Sequence, residues 1–276
     1  MSRSVKNQGG FTLVELVTVI IVLGVVSIGI SSFIRSGVQI FNDVSERDEL
    51  LSQSRFVLER LNRELRSAVP NSARLAQVGG AQCVEFVPTM WATYYTSLPL
   101  VPSAQRIVNT VELGDPNGQF SLVAGDMALV YPTDSDDVYE LSQQKRHTIL
   151  SCSDNGIDDS CTTNDSPEHL ASLTVDGAFA DISPASRLYI VRNMVSYCVS
   201  GGSIFRQERS IDLAQTNLGV LMAENIVNDL TDSAQFPFTV QQATLNRNGL
   251  IQILLAFELN EETINLSSDI HVPNVP

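Results

Sequence analysis

From Phe11 to Ile34 the chain runs for 24 residues with one charged side chain, Glu15, and no proline. At about 1.5 Å per residue, such a helix would be roughly 36 Å long, enough to cross a hydrocarbon core of about 30 Å. A carboxylate inside a spanning helix is expensive, about 2.5–3.5 kcal/mol on insertion scales, and usually has both a partner and a function. Arg3 and Lys6 precede the run. A basic flank of this kind favours a cytoplasmic N-terminus, with the rest of the chain on the far side of the inner membrane. A secretory signal peptide would have an apolar core of about 7–15 residues followed by a small-residue cleavage site. This run is longer, and no A-x-A pattern follows it.

Beyond the run lie about 240 residues, enough for one substantial core. The net charge is −14, and removal of a leader containing Arg3 and Lys6 would take it to −16. Such acidity argues against non-specific nucleic-acid binding, which rests on Lys and Arg contacts with phosphates. Cys83, Cys152, Cys161 and Cys198 all fall on the side expected to be periplasmic, where disulfides persist. Four cysteines allow three connectivities. The short loop between Cys152 and Cys161 favours their pairing, and Cys83–Cys198 would then staple an early strand to a late one. With no C-x-x-C motif and no Cys/His cluster, zinc and thiol redox chemistry have little support.

After Arg35 the pattern becomes amphipathic. Leu51, Leu58, Leu61 and Leu65 recur at helical spacing, with Arg55, Glu59, Arg60, Arg63, Glu64 and Arg66 on other faces. Heptads are not sustained, so a helix packed on a globular domain fits better than a coiled coil. Pro70-Asn71-Ser72 reads as the turn that ends it. The two stretches together predict one nearly continuous helix of about 55–60 residues. Beyond residue 80 the signals are mostly strands: Val84–Val87, Ile107–Leu113, Leu122–Tyr131, Arg187–Val191, Val195–Val199, Ile204–Arg206, Phe238–Leu245, Leu250–Leu259 and Thr263–Val272. Gly201-Gly202 supports a tight turn, as does Asn246-Arg247-Asn248-Gly249. Residues 212–230 give no single signal, with Leu221–Leu230 a candidate short helix. Closely spaced strands favour antiparallel pairing, so the expected class is α+β.

The string Gly9-Gly10-Phe11-Thr12-Leu13-Val14-Glu15-Leu16 resembles the class III signal of type IV pilins and of type II secretion pseudopilins. The resemblance implies cleavage after Gly10 by a prepilin peptidase and methylation of the new N-terminal amine of Phe11. It also implies that Glu15 neutralises the N-terminal amine of a neighbouring subunit. Pairing relieves the cost of placing either charge in an apolar bundle. Taken alone, Glu15 lies roughly 6 Å from the start of the run and could snorkel to water, but that leaves the Gly-Phe junction unexplained. Many major pilins have a proline within this segment, whereas none precedes Pro70 here. Gly24, Gly29 and Gly37 are its weak points, each about 1 kcal/mol less helix-favouring than Ala. Further on, Ser54-Arg55-Phe56, Leu61-Asn62-Arg63-Glu64-Leu65-Arg66 and Val69-Pro70-Asn71-Ser72 are similar to minor pilins of the MSHA (mannose-sensitive haemagglutinin) system. They are also similar to J-type minor pseudopilins. The ending His271-Val272-Pro273-Asn274-Val275-Pro276 resembles MSHA biogenesis proteins.

Candidate sites elsewhere are few. Asp154-Asn155-Gly156-Ile157-Asp158-Asp159 gathers Asp154, Asp158 and Asp159 around a glycine turn, and such oxygens suit Ca²⁺. The spacing is not that of an EF-hand, and a solvated acidic loop is the plainer reading. Asp134, Asp136 and Asp137 form a weaker cluster, and His147, His169 and His271 are scattered. No G-x-S-x-G elbow or phosphate-binding G-x-x-x-x-G-K-[ST] occurs, and Gly79-Gly80 reads as a turn. Trp91, Tyr94 and Tyr95 are expected to be core. No catalytic residue, cofactor or metal is expected.

The expected layout is a cleaved leader (1–10), a membrane and filament-core helix (11–34), its amphipathic continuation (35–69) and a periplasmic β-rich head (70–276). The expected fold is type IV pilin-like, a long helix packed on an antiparallel β-rich domain. The resemblance implies a non-enzymatic minor pilin of the MSHA kind. A type II secretion pseudopilin is the alternative, and a membrane-anchored periplasmic adhesin a further one. Implied partners are prepilin peptidase, major and minor pilins and the inner-membrane assembly machinery, with no nucleic acid.

Overall fold

A computed structural model of the chain describes residues 10, 12–112, 121–154, 169–214, 219–243, 247–260 and 262–272. Helix α1 runs unbroken through Leu13–Arg66, 54 residues without a proline. The chain divides into two compact units at Leu51/Ser52. In the first, α1 is exposed throughout its apolar run. Past Arg66 the backbone tightens, with Ser67 N–H donating to Glu64 O at 3.1 Å and Ala68 N–H to Leu65 O at 3.1 Å. Pro70 cannot continue a helix, and Asn71 turns the chain away at φ +62°.

In the second unit, the last turns of α1 bury Ser54, Val57, Leu61 and Leu65, a seam of three- and four-residue steps. Leu61 and Leu65 of the leucine pattern lie in this seam, whereas Leu51 and Leu58 are only half-buried. A five-stranded antiparallel sheet follows, in the order β1 (Arg74–Val78), β2 (Ala81–Phe86), β9 (Asn193–Ser200), β10 (Ser203–Ser210), β11 (Val220–Ala223). Both of its tight hairpins turn on Gly-Gly pairs, Gly79-Gly80 (φ +56° and +84°) and Gly201-Gly202 (φ +56° and +77°). Two successive positive φ angles make a turn whose twist matches that of the strands, and glycine adopts them without strain. A second sheet orders β12 (Phe238–Gln241), β13 (Gly249–Leu259) and β14 (Glu262–Val272). Its inner face buries Ile251, Ile253, Leu255 and Phe257, and Ser268 Oγ donates to Asn62 Oδ1 of α1 at 3.2 Å.

Between β2 and β9 the chain builds a closed antiparallel barrel. Its six strands run in the order β3 (Trp91–Ser97), β4 (Ile107–Val111), β7 (Leu170–Val175), β6 (Arg146–Asp154), β5 (Met127–Leu129), β8 (Arg187–Val191) and back to β3. Tyr95, Val108, Ala128, Ile149, Leu173 and Ile190 are among the side chains filling it, with Phe179 packed against them. Met127, Leu129, Tyr189 and Val191 belong to a second core with Val69, Val87, Met194 and Ile211. Strands β5 and β8 are therefore buried on both faces, which explains why they read as unbroken apolar runs.

The architecture is α+β, as expected, but β1, β3, β6 and β7 are not among the expected strands, and three further details differ. Leu122–Tyr131 is not one strand; only Met127–Leu129 pairs, because Gly125 (φ +95°) turns the chain into the buried Asp126. Leu221–Leu230 is not a helix. Val220–Ala223 pairs with β10, and Ile226 bridges to Phe257. The aromatic triplet splits by strand alternation: Tyr95 is core, Trp91 half-buried and Tyr94 exposed.

Candidate functional site

At the N-terminus, helix α1 begins with a cap. Thr12 Oγ1 accepts the Glu15 backbone N–H at 3.3 Å, and Thr12 O accepts the Leu16 N–H at 3.2 Å. Thr12 and Glu15 stand in the T-x-x-E order of a capping box, which satisfies donors that the first turn leaves open. A carboxylate in the first turn also complements the positive end of the helix dipole. The Glu15 carboxylate is exposed and has no partner among the described residues. Gly10, next to Thr12's neighbour Phe11, is exposed with open space around it. Phe11 itself, Arg3 and Lys6 lie outside the described residues. C-terminal to Glu15, large apolar side chains remain exposed through Phe33 and Ile34. They continue beyond Arg35 at Val38, Phe41 and Val44 in three- and four-residue steps. Exposed apolar side chains therefore also occur within the 35–69 stretch. A helix of this kind needs a lipid or protein environment to cover it.

In the head, charged side chains tie elements together. Glu64 of α1 accepts from Arg60 Nε (3.0 Å), Arg206 Nε (3.0 Å) and Tyr197 Oη (3.1 Å), so one carboxylate joins the helix to β9 and β10. Burial pushes the Tyr197 hydroxyl far above its ordinary value, reinforced by the Glu64 charge. Glu85, nearly fully buried, accepts from Arg74 Nε (2.9 Å) and Arg209 Nη2 (2.6 Å). The Arg74 guanidinium also stacks 3.6 Å from the centre of the Tyr139 ring, whose hydroxyl donates to Ser72 O at 2.8 Å. These groups border an open groove of about 720 Å³, beside Asp212, which pairs with the buried Arg146. Arg192 grips the buried Asp126 through Nε (2.6 Å) and Nη2 (3.0 Å). Lys145 reaches Asp137 at 3.1 Å and Asp181 at 3.3 Å. Each carboxylate here is held by a fixed cation, an arrangement that locks strands together rather than moving protons. Sequence reading missed these clusters because their members lie far apart in the chain. The one local hint was a charge within an apolar strand, as in Val84-Glu85-Phe86.

Cys83 and Cys198 face each other across β2 and β9, joined by a buried disulfide with Cα atoms 4.0 Å apart. Cys152 lies in β6, whereas Cys161 falls outside the described residues, and so does their pairing. Asp154 closes β6, and Asp158 and Asp159 also fall outside. Among the described residues, no three His, Cys, Asp or Glu side chains gather as a metal site. Asp134 accepts from Ser135 and Asp136, and Asp137 accepts from Thr133 and Lys145. The histidines remain apart: His147 lies on barrel strand β6 with its ring against Phe179, His169 precedes β7 and His271 is exposed on β14.

Residues 5–31 match the family described as the prokaryotic N-terminal methylation motif. The chain carries that motif. The match takes in Gly10, the Thr12–Glu15 cap and the first half of the exposed apolar run, and it marks a type IV pilin-like precursor. No curated protein and no solved structure matches the chain.

Proposed function

We propose that this protein is a minor pilin, a structural and non-enzymatic subunit of a type IV pilus of the MSHA kind, similar to the MSHA biogenesis protein MshO. The observation that carries the reading is the methylation motif over residues 5–31, set on an exposed apolar helix whose one intramembrane charge has no described partner. Prepilin peptidase cuts after Gly10 and methylates the amine of Phe11. The precursor sits in the inner membrane in a single pass, N-terminus cytoplasmic and head periplasmic, before the assembly machinery draws it to the cell surface. In the filament, Glu15 meets the Phe11 amine of an adjacent pilin, and the stripe through Val38, Phe41 and Val44 packs against neighbouring helices. A head of this size is easier to accommodate at low stoichiometry.

The mature N-terminus tests this. Mass spectrometry of protein from wild-type cells should show a chain beginning at Phe11 and carrying one added methyl group. An intact Met1 would overturn the pilin reading and leave an uncut membrane anchor. Glu15→Val should leave cleavage intact but reduce incorporation into filaments by at least tenfold, scored by immunoblot of sheared pili. Normal incorporation would remove the pairing role. A deletion strain that keeps its pili and loses exported enzymes would point to a type II secretion pseudopilin instead.

A further inference from the structure

Among the described residues, strand β14 is a long sheet edge whose protection is limited to the charges of Glu262 and Asp269. On one side it pairs with β13 through 11 consecutive positions and no register shift. On the other it pairs with no strand among the described residues. Exposed edges invite strand addition, and proteins commonly block them with lysine, proline, a bulge or a short strand. The strand Glu262–Val272 contains no lysine and no proline, and its ladder is unbroken. Its inward residues Ile264 and Leu266 are only half-buried, while Thr263, Asn265, Ser267, Asp269 and His271 point outward and are exposed.

We propose that β14 is the contact edge of a closed two-fold pair of this chain, two copies joining antiparallel about Ser267. That register is self-complementary from Thr263 to His271. Outward, it sets Thr263 against His271, Asn265 against Asp269, and Ser267 against its own copy. Inward, it sets Ile264 against Ile270 and Leu266 against Ser268. No like charges face each other, whereas sliding the centre to Asp269 would place two carboxylates opposite, which is destabilising. The added strand brings Ile270 of the second copy beside Ile264 and supplies ladder hydrogen bonds on the side where no strand pairs among the described residues. A two-fold contact uses the same patch on both copies and therefore closes. It makes a pair and cannot propagate along a fibre. The inference does not depend on the pilin reading.

The full chain in mild detergent provides the test. Ser267→Cys places two thiols at the axis and should form a covalent dimer on mild oxidation. Gln252→Cys, exposed one strand inward on β13, should cross-link at least tenfold less. Ser267→Lys sets two ammonium groups together and should weaken dimerisation at least tenfold by light scattering, with an unchanged melting temperature. Equal cross-linking of the two cysteine variants would overturn the proposal. So would association indifferent to Ser267→Lys, which would assign pairing to the apolar helix. Cross-linking of Ser267→Cys in cells to a different subunit, and not to itself, would overturn the second copy as occupant.

Discussion

At Gly177 an added β-carbon would overlap Cε1 and Nδ1 of His147. The ring has little room to yield, since Nδ1 lies 2.9 Å from Asp176 Oδ1, Nε2 lies 3.0 Å from Ala178 O, and its edge meets Phe179. Gly177→Ala should therefore cost about 1–3 kcal/mol, as other overpacking substitutions do, and lower the melting temperature by several degrees. Asp137 presents a different residue-scale effect. Burial raises its pKa, but the backbone and side-chain hydrogen bonds of Thr133 and the charge of Lys145 outweigh it, so the net shift is downward. A carboxylate with a depressed folded value stabilises fully above its unfolded value of about 4, and that contribution fades as pH falls through the lower folded value. Asp137→Asn should thus destabilise more at pH 7 than at pH 3, as measured by denaturant unfolding at the two pH values.

At the scale of elements, the end of α1 is held by both its seam and its charge. The seam buries Val57, Leu61 and Leu65, and Glu64 beside it bonds to Tyr197 and Arg206. Glu64→Ala would leave the Tyr197 hydroxyl without its acceptor and Arg206 with only the half-exposed Glu208, 3.4 Å away, in a mostly buried setting. About 2–3 kcal/mol of lost stability is expected, read from the denaturant midpoint, with Glu64→Gln milder because it retains a hydrogen-bonding oxygen. The helix, its end at Pro70, both Gly-Gly turns and most strands were legible in the sequence, since each rests on local propensity or on a period of 2 or 3.6. The failures have tertiary causes. Val220–Ala223 is a strand because β10 offers an edge to pair with, and helical spacing in so short a segment cannot outweigh that. The apparent strand from Leu122 is interrupted at Gly125 (φ +95°), and the buried Asp126 that follows is held by Arg192, 66 positions away.

For the whole molecule, the barrel is inserted between β2 and β9, whose adjacent strands are joined by Cys83–Cys198. The cross-link spans a sequence separation of 115, so it removes much freedom from the unfolded chain. The chain-entropy picture puts this at up to about 5 kcal/mol, though native strain can reduce it. Replacing both residues by Ala should lower the melting temperature of the full chain markedly. A change of less than a degree or two would show that the apolar interface of Val69, Val87, Met194 and Ile211 holds the insertion without it.

By itself the sequence determined the processing signal, the helix and its exposed apolar face, and the α+β class, because each is written in neighbouring residues. Only the tertiary structure decided that the central strands close into a barrel, that Glu85 and Asp126 become buried anchors and that the half-buried Glu64 ties α1 to β9 and β10. It alone leaves β14 as an open edge among the described residues. Those outcomes depend on which distant segments meet, and pairing partners at separations of 60 to 140 residues leave no period in the chain for a local reading to find.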